Sequence, residues 1–518
     1  MADRAQPLSP VPGIAFATVV AVAILGTLLA VALSAETGRG LGPPEWAAIR
    51  FTLLQAALSA ALSVALAVPV ARALSRRRFA GRRVMIALLG APFILPVIVA
   101  VLGLIEVFGR AGWISTALGW IGLPSVQIYG LHGVVLAHVF FNLPLATRLI
   151  LQAWQEVPAE RFRLAAQLNV DGWAMIRLIE WPMLRRIVPG VLAVIFAICL
   201  TSFAVALTLG GGPRATTVEL AIYQAFRFDF DLGRAALLSV VQIGLTLAAA
   251  GLALWLGRGG DFGGGFDRAV RRWDGARWSA RSLDVAWIAL AALFLLLPLA
   301  AIVIAGLPGL ADLPASVLPA AVTSILVAAA STVLVLLVAL PMAASVALRG
   351  ARGVELAGLL GLAASPLVIG TGLFIMIRPF ANPLALALPV TALVNALMVL
   401  PFALRILVPR ARDIVARQGR LAISLNMQGW PFTRLVLLPR MRAQIGFTAG
   451  LAAALSMGDL GVITLFASPD VATLPLQVYR LMGAYRMEAA ASAALILLCL
   501  SFAAFWILDK GGRAHAEA

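Results

Sequence analysis

The sequence predicts an all-α polytopic membrane protein of about twelve transmembrane helices, arranged as two parallel six-helix repeats. Three observations carry that expectation. Hydrophobic residues fill 62% of the 518 positions and charged residues only 12%, which is more apolar surface than a water-soluble fold can bury. Apolar runs of about twenty residues, long enough to cross the hydrocarbon core, follow one another along the chain. A block of residues between the fourth and fifth runs returns 257 positions later with its spacing intact.

In chain order, spans are expected near 13–34, 50–71, 84–108, 127–153, 187–209 and 234–257. The first follows Arg4 and ends Ala32-Leu33-Ser34, loosely like a signal peptide, but it is long enough to span and is read as an uncleaved helix. A polar, glycine-rich stretch at 258–282 then reads as a linker. Six further spans are expected near 284–306, 317–347, 355–377, 384–408, 443–467 and 489–508. The chain therefore divides into a first half at 1–257, the linker at 258–282 and a second half at 283–518.

Charge fixes the orientation. The formal net charge of +17 comes almost wholly from arginine, placed between apolar runs rather than in an aromatic-interleaved stripe, so no nucleic-acid partner is indicated. Arg72, Arg76, Arg77, Arg78, Arg82 and Arg83 share one interhelical segment, whereas residues 113–127 carry almost no charge. The arginine side is read as cytoplasmic, and the alternation puts both termini, the linker arginines Arg268, Arg271, Arg272, Arg277 and Arg281, and the Arg349/Arg352 loop there too. These arginines are expected to orient the chain and to snorkel to the lipid bilayer. Cys199 and Cys499 lie in separate apolar runs, which indicates neither a disulfide nor a metal site.

The repeat aligns Arg163-Leu164-Ala165, Leu168-Asn169, Gly172-Trp173, Arg177-Leu178, Pro182 and Arg185 with Arg420-Leu421-Ala422, Leu425-Asn426, Gly429-Trp430, Arg434-Leu435, Pro439 and Arg442. Outside it, Leu143-Pro144 matches Leu400-Pro401, Arg148 matches Arg405 and, after a one-residue shift, Tyr223 matches Tyr479. Because an even number of spans separates equivalent points, the halves share one orientation about an axis along the membrane normal. Each repeated loop is expected to be a short helix, 159–169 or 416–426, stopped by an asparagine that tolerates the left-handed conformation. Gly-Trp then supplies a turn beside a large ring, and the proline marks the approach to the next span. Either a lipid-surface helix used twice or a dock for a symmetric partner fits this pattern, and two matching knobs favour the partner.

On these residues the loops resemble the EAA loop of binding-protein-dependent importer permeases, a Glu-Ala-Ala, three residues, Gly, then hydrophobic-x-Leu-Pro pattern. Asn169 and Asn426 stand at the glycine position, Ile179 and Val436 at the hydrophobic one, and Pro182 and Pro439 at the terminal proline. Arg163 and Arg420 depart from the family's glutamate. The resemblance implies a type I ABC importer permease in a bacterial inner membrane. It implies homodimeric ATPase subunits, holding the ATP and Mg, that engage Arg163, Ala165, Leu168, Asn169, Gly172, Trp173 and Pro182, together with Arg420, Ala422, Leu425, Asn426, Gly429, Trp430 and Pro439. It also implies a periplasmic binding protein.

The fused layout, Leu164-Ala165-Ala166-Gln167-Leu168, Glu180-Trp181-Pro182, Gly458-Asp459-Leu460-Gly461-Val462-Ile463, Thr473-Leu474-Pro475-Leu476 and Gly483-Ala484-Tyr485-Arg486 are similar to the thiamine permeases over nearly the whole chain. The implied substrate is thiamine, with its phosphate esters in view and a thiamine-binding protein as partner. Ferric-iron permeases share the fused layout and a related Gly-Asp-x-Gly segment and stay as the alternative. An ion-coupled secondary transporter also uses six-span repeats, but it leaves the paired loops unexplained.

The chain itself is not expected to be an enzyme or to bind a cofactor or metal. Its only lysine, Lys510, precedes Gly511, so no Walker-type phosphate loop exists. His132, His138 and His515 form no metalloprotease pattern, and Gly210-Gly211-Gly212 and Gly263-Gly264-Gly265 lack a strand-turn-helix context. Glu106, His138, Arg378 and Asp459 are ionisable groups near or within spans, where such groups are costly. Glu106 and Arg378 sit near span ends, and His138 beside Asn142 is expected to hydrogen-bond a neighbouring helix. Asp459, placed in span eleven with Ser202 or a neighbour at the matching first-half position, marks a candidate substrate path with Tyr223 and Tyr479. A carboxylate there would suit a cationic thiazolium, and a helix-to-helix hydrogen bond would explain it equally.

Overall fold

The computed structural model describes residues 7–36, 38, 40–90, 94–170, 172–212, 215–256, 277–362, 364–466, 468 and 471–513. Among them every regular element is helical, and eleven helices are long and apolar enough to cross a membrane. A twelfth span results if Arg352–Leu362 and Pro366–Ile377, which meet at 96°, are taken together. The chain is an all-α polytopic membrane protein, as its hydropathy predicts. Most of the expected linker lies outside the described residues, with Arg268, Arg271, Arg272 and Gly263-Gly264-Gly265, and so does His515.

The first half contributes α1 (Val11–Ser34), α2 (Pro43–Arg76), α3 (Val97–Phe108), α4 (Leu131–Glu156), α5 (Ala159–Gln167), α6 (Trp181–Leu200), α7 (Val218–Arg227) and α8 (Leu232–Leu256). The second contributes α9 (Trp278–Gly306), α10 (Val317–Arg349), α11 (Pro366–Ile377), α12 (Ala387–Ser424), α13 (Leu438–Met457), α14 (Leu474–Gly483) and α15 (Met487–Arg513). Pro69, Pro144, Pro298, Pro341 and Pro401 all sit inside these helices.

The two halves are interlocked through their first helices. α1 packs on α10 and α11 of the second half, and α9 packs on α3 and α2 of the first. Both crossings depend on a glycine: a Cβ on Gly103 would lie 2.4 Å from the Pro298 carbonyl oxygen, and one on Gly372 would lie 2.5 Å from that of Thr27. In lipid, association rests on such close backbone approach, because burying apolar area against apolar tails gains little.

The arginine cluster around the end of α2 does more than orient the chain. Arg76 Nη2 and Arg77 Nε grip Asp284 Oδ1 and Oδ2 at 2.5 and 2.7 Å, and Arg72 Nε reaches Glu180 Oε2 at 2.7 Å. Arg82 is also buried, donating to the Leu74 carbonyl at 3.3 Å. The expectation of lipid snorkelling is therefore corrected for these four, whose acidic or carbonyl partners are brought to them by folding. Through Asp284 the end of α2 is fastened to the start of α9, across the two halves.

Several expected spans are interrupted. The third becomes Arg82–Leu88 followed by α3, which starts after Pro96. The fifth breaks at residues 201–203 and the eleventh at 458–460. Residues 210–233 and 468–488, expected as connections, contain the short helices α7 and α14, whose charges and ten-residue lengths hide them from a span-length window.

Candidate functional site

The repeated loops share the backbone of their turns. α5 ends with Asn169 at φ 51°, and the second loop has Asn426 at φ 57°. In each, the amide two residues past the helical turn returns to close it, Val170 N–H to Ala165 O at 2.9 Å and Met427 N–H to Ala422 O at 2.8 Å. This is the left-handed helix stop expected from the asparagines. Gly172 and Gly429 follow at φ 50° and 68°, a region that disfavours side chains with a Cβ.

The chain next forms one π-helical turn in each half, Ile176–Glu180 and Thr433–Leu437. Pro182 and Pro439 lie just beyond, where a proline lacks its N–H and would press on the carbonyl four residues back in a regular helix; a widened turn relieves that clash. One expectation is corrected. Residues 416–426 are not a separate short helix but the end of α12, which runs unbroken to Ser424. The first loop breaks at Val157-Pro158 because the residue before proline is driven to extended backbone, and Val415 stands where the first half has Pro158.

Each loop buries one face and exposes another. Phe162, Ala165 and Met175 pack together beneath the first, and Ala422 and Phe432 are buried in the second. Outward point Leu164, Leu168 and Trp173, the last 75% exposed, and their counterparts Leu421, Leu425 and Trp430, the last 67% exposed. Arg163 and Arg420 are exposed alongside them. Two equivalent apolar knobs ringed by arginine form a surface that a symmetric protein could cover.

The described residues nearest the two chain ends lie beside the second loop and the helix that follows it. Gly429 N–H donates to Pro7 O at 2.8 Å, and Gly512 lies against the Arg442 carbonyl. At the opposite ends of α8 and α15, Phe230 and Tyr485 take left-handed φ values of 53° and 57° and are 80% and 92% exposed. From sequence Tyr485 entered only as part of the Gly483-Ala484-Tyr485-Arg486 stretch and Phe230 not at all, since nothing in composition marks a strained corner.

Ser202 and Asp459 occupy equivalent breaks in the two halves. Asp459 is not inside a continuous helix, as expected, but follows the end of α13, where Oδ1 accepts from Gly461 N–H at 3.0 Å and caps the Gly461–Phe466 helix. Its Oδ2 has no partner among the described residues. Ser202 is committed to His138, whose Nε2 lies 2.7 Å from its hydroxyl while Nδ1 lies 3.2 Å from Ser59. His138 thus joins helices, as expected. The second half replaces it with Asn395, which donates to Ser456 Oγ at 3.0 Å.

α7 and α14 each pack against the opposite half, α7 on α11 and α14 on α3, and the Phe226 ring meets that of Phe374 at 4.6 Å, so Tyr223 and Tyr479 lie on helices at the seam between the halves. The Tyr223 ring meets those of Phe203 and Phe228 edge-on at 5.3 and 5.7 Å. One turn before Tyr223, Glu219 is completely buried beside Ser365 and Gln242, with neither oxygen in a well-formed hydrogen bond. Glu219 was missed, although a lone carboxylate in the run Val218-Glu219-Leu220-Ala221-Ile222 was a readable signal.

No protein-family model matches the chain. Relatives are nonetheless extensive. The chain is 40% identical over 535 residues to the thiamine transport system permease protein ThiP of Salmonella typhimurium, covering all of both chains. It is 40% identical over 532 residues to the Escherichia coli protein of that name, covering 98% of each. The Haemophilus influenzae protein of the same name is 33% identical over 466 residues, with 87% of this chain and 86% of the relative covered.

Proposed function

The chain belongs to the family of thiamine transport system permease proteins, and from that membership we propose that it carries thiamine into the cytoplasm as the membrane subunit of an ATP-driven importer. The observation that carries the proposal is the pair of equivalent exposed loops on one face of an interlocked two-half molecule. That face is the cytoplasmic one, holding both termini, in a bacterial inner membrane. Two copies of an ATPase subunit, which hold the ATP and Mg that this lysine-poor chain has no motif to bind, seat on Leu164, Leu168 and Trp173 and on Leu421, Leu425 and Trp430. A periplasmic thiamine-binding protein meets the other face, where Phe230 and Tyr485 stand out.

Closure of the ATPases pulls the two loops together. Each loop passes through its π turn into α6 or α13, and Glu180 carries the first loop's movement by way of Arg72 to α2 and, at Asp284, to α9. The halves then part at the seam where α7 and α14 lie. Once the seam opens, a cationic thiazolium would be suited by Glu219 and by aromatic faces such as Tyr223, both buried while it is closed. Arg227 and Arg480 at the same seam favour phosphate esters of thiamine as additional cargo.

The test is uptake of labelled thiamine into proteoliposomes that hold this chain with its cognate ATPase, with binding protein outside and ATP inside. Trp173→Ala with Trp430→Ala should abolish uptake while ATP turnover persists. Unchanged, ATP-coupled uptake by that double variant would refute the role of the loops, and gradient-driven uptake without ATP would refute the importer.

A further inference from the structure

A groove of about 830 Å³ opens on the first half beside the loop, between the end of α4, the start of α6 and the end of α8. Arg161, Arg185 and Arg186 line it against a single carboxylate, Glu156, and among the described residues none of the three arginines has an ion-pair partner. Trp255, 78% exposed at the end of a span, also lines it; a tryptophan at a span end marks the level where headgroups meet acyl chains.

The second half does not repeat this arrangement. There α15 lies directly on α13, since a Cβ on Gly446 would be 2.6 Å from the Leu508 carbonyl oxygen and 2.7 Å from Gly512 Cα. Pro189 stands where the second half has Gly446, and its ring denies α8 the same approach to α6. The charge is lost as well: Arg442 matches Arg185, but Ala443 replaces Arg186 and Gln418 replaces Arg161. Among the described residues, open shape and surplus positive charge therefore coincide here and not at the equivalent place in the second half.

We infer that this groove is a binding site for one anionic phospholipid. The phosphodiester sits among Arg161, Arg185 and Arg186, and the acyl chains run down past Trp255 and Leu256. Arginine suits phosphate through its paired donors, and a basic recess at a helix-bundle edge at headgroup level is the geometry such lipids use.

The experiment is native mass spectrometry of the full chain taken from nanodiscs of phosphatidylglycerol mixed with phosphatidylcholine. Wild-type chain should retain one phosphatidylglycerol. Each groove arginine removed should weaken retention about fivefold, so Arg185→Gln with Arg186→Gln should lose nearly all of it, and Arg442→Gln should lose none. A photoactivatable phosphatidylglycerol should label residues near Trp255 in the unmodified chain, which tests the site even if the double variant folds poorly. Equal retention in the double variant, or labelling spread evenly over the spans, would overturn the assignment. Displacement by excess inorganic phosphate would make free phosphate the ligand instead. Retained lipid with lost ATPase binding would make the groove a protein-docking face.

Discussion

Glu180→Leu should destabilise the protein, and adding Arg72→Leu should restore most of the loss. The pair is short, 2.7 Å, yet Arg72 Nε makes no well-aligned hydrogen bond, so charge attraction holds the contact. Removing one partner of a buried ion pair costs about 3 to 5 kcal/mol, because the surviving charge stays out of water. Arg72 keeps 22% of its side chain exposed against 2% for Glu180, so the survivor finds some water. The single variant therefore belongs at the lower end, about 3 kcal/mol. With both charges gone the penalty disappears, and the second half already uses that solution: Leu437, 4% exposed, occupies the place of Glu180. The double variant should lie within about 1 kcal/mol of wild type. Unfolding in mixed micelles titrated with dodecyl sulfate, followed by tryptophan fluorescence, gives the full double-mutant cycle. If the two single costs simply add, the contact contributes nothing and the proposed strut from loop to α2 fails with it.

Other perturbations test the loops, the crossings and the buried histidine. Asn169→Ala and Asn426→Ala should each weaken their helix stop by about 1 kcal/mol, because alanine resists left-handed φ. Hydrogen exchange at Val170 and Met427 should then quicken, whereas Asn→Gly variants should exchange as wild type does. Gly103→Leu and Gly372→Leu should prevent the halves from interlocking, seen as loss of the monodisperse peak in size-exclusion chromatography. Gly119→Leu, with open space around it, should elute unchanged. His138→Phe should cost about 1 to 3 kcal/mol in the same unfolding assay by orphaning the buried Ser59 hydroxyl, with Ser202 also losing its partner, and His138→Gln should recover part of it.

Much of the fold and of the paired loops was legible in the sequence because the relevant physics is local. Twenty apolar residues must form a helix in lipid, since no water is present to satisfy the backbone. Asn169 and Asn426 could be read as helix stops because left-handed backbone is a property of the residue itself. The Gly-Trp turns and the terminal prolines were legible for the same reason, and the fixed offset of 257 positions joined them into a pair. Where a local rule differed between the halves, the consequence followed it: Pro158 breaks the first loop from α4, and Val415 lets α12 continue.

The tertiary structure alone decided which distant groups meet. Six arginines at and beyond the end of α2 look like a positive-inside signal, and only folding delivers Asp284 and Glu180 to three of them. Hydropathy cannot say that α1 and α9 cross to the opposite halves, since that choice rests on glycines at two points where backbones touch. α7 and α14 escaped notice because short, charged segments become helical inside the bundle only when surrounding helices bury them. The sequence by itself determined the class, the span-forming segments and the paired loops, through chain-local hydropathy and backbone preference. The partners of Arg72, Asp284, His138 and Glu219 depended on three-dimensional packing, which places side chains far apart in the chain within a few ångströms of one another.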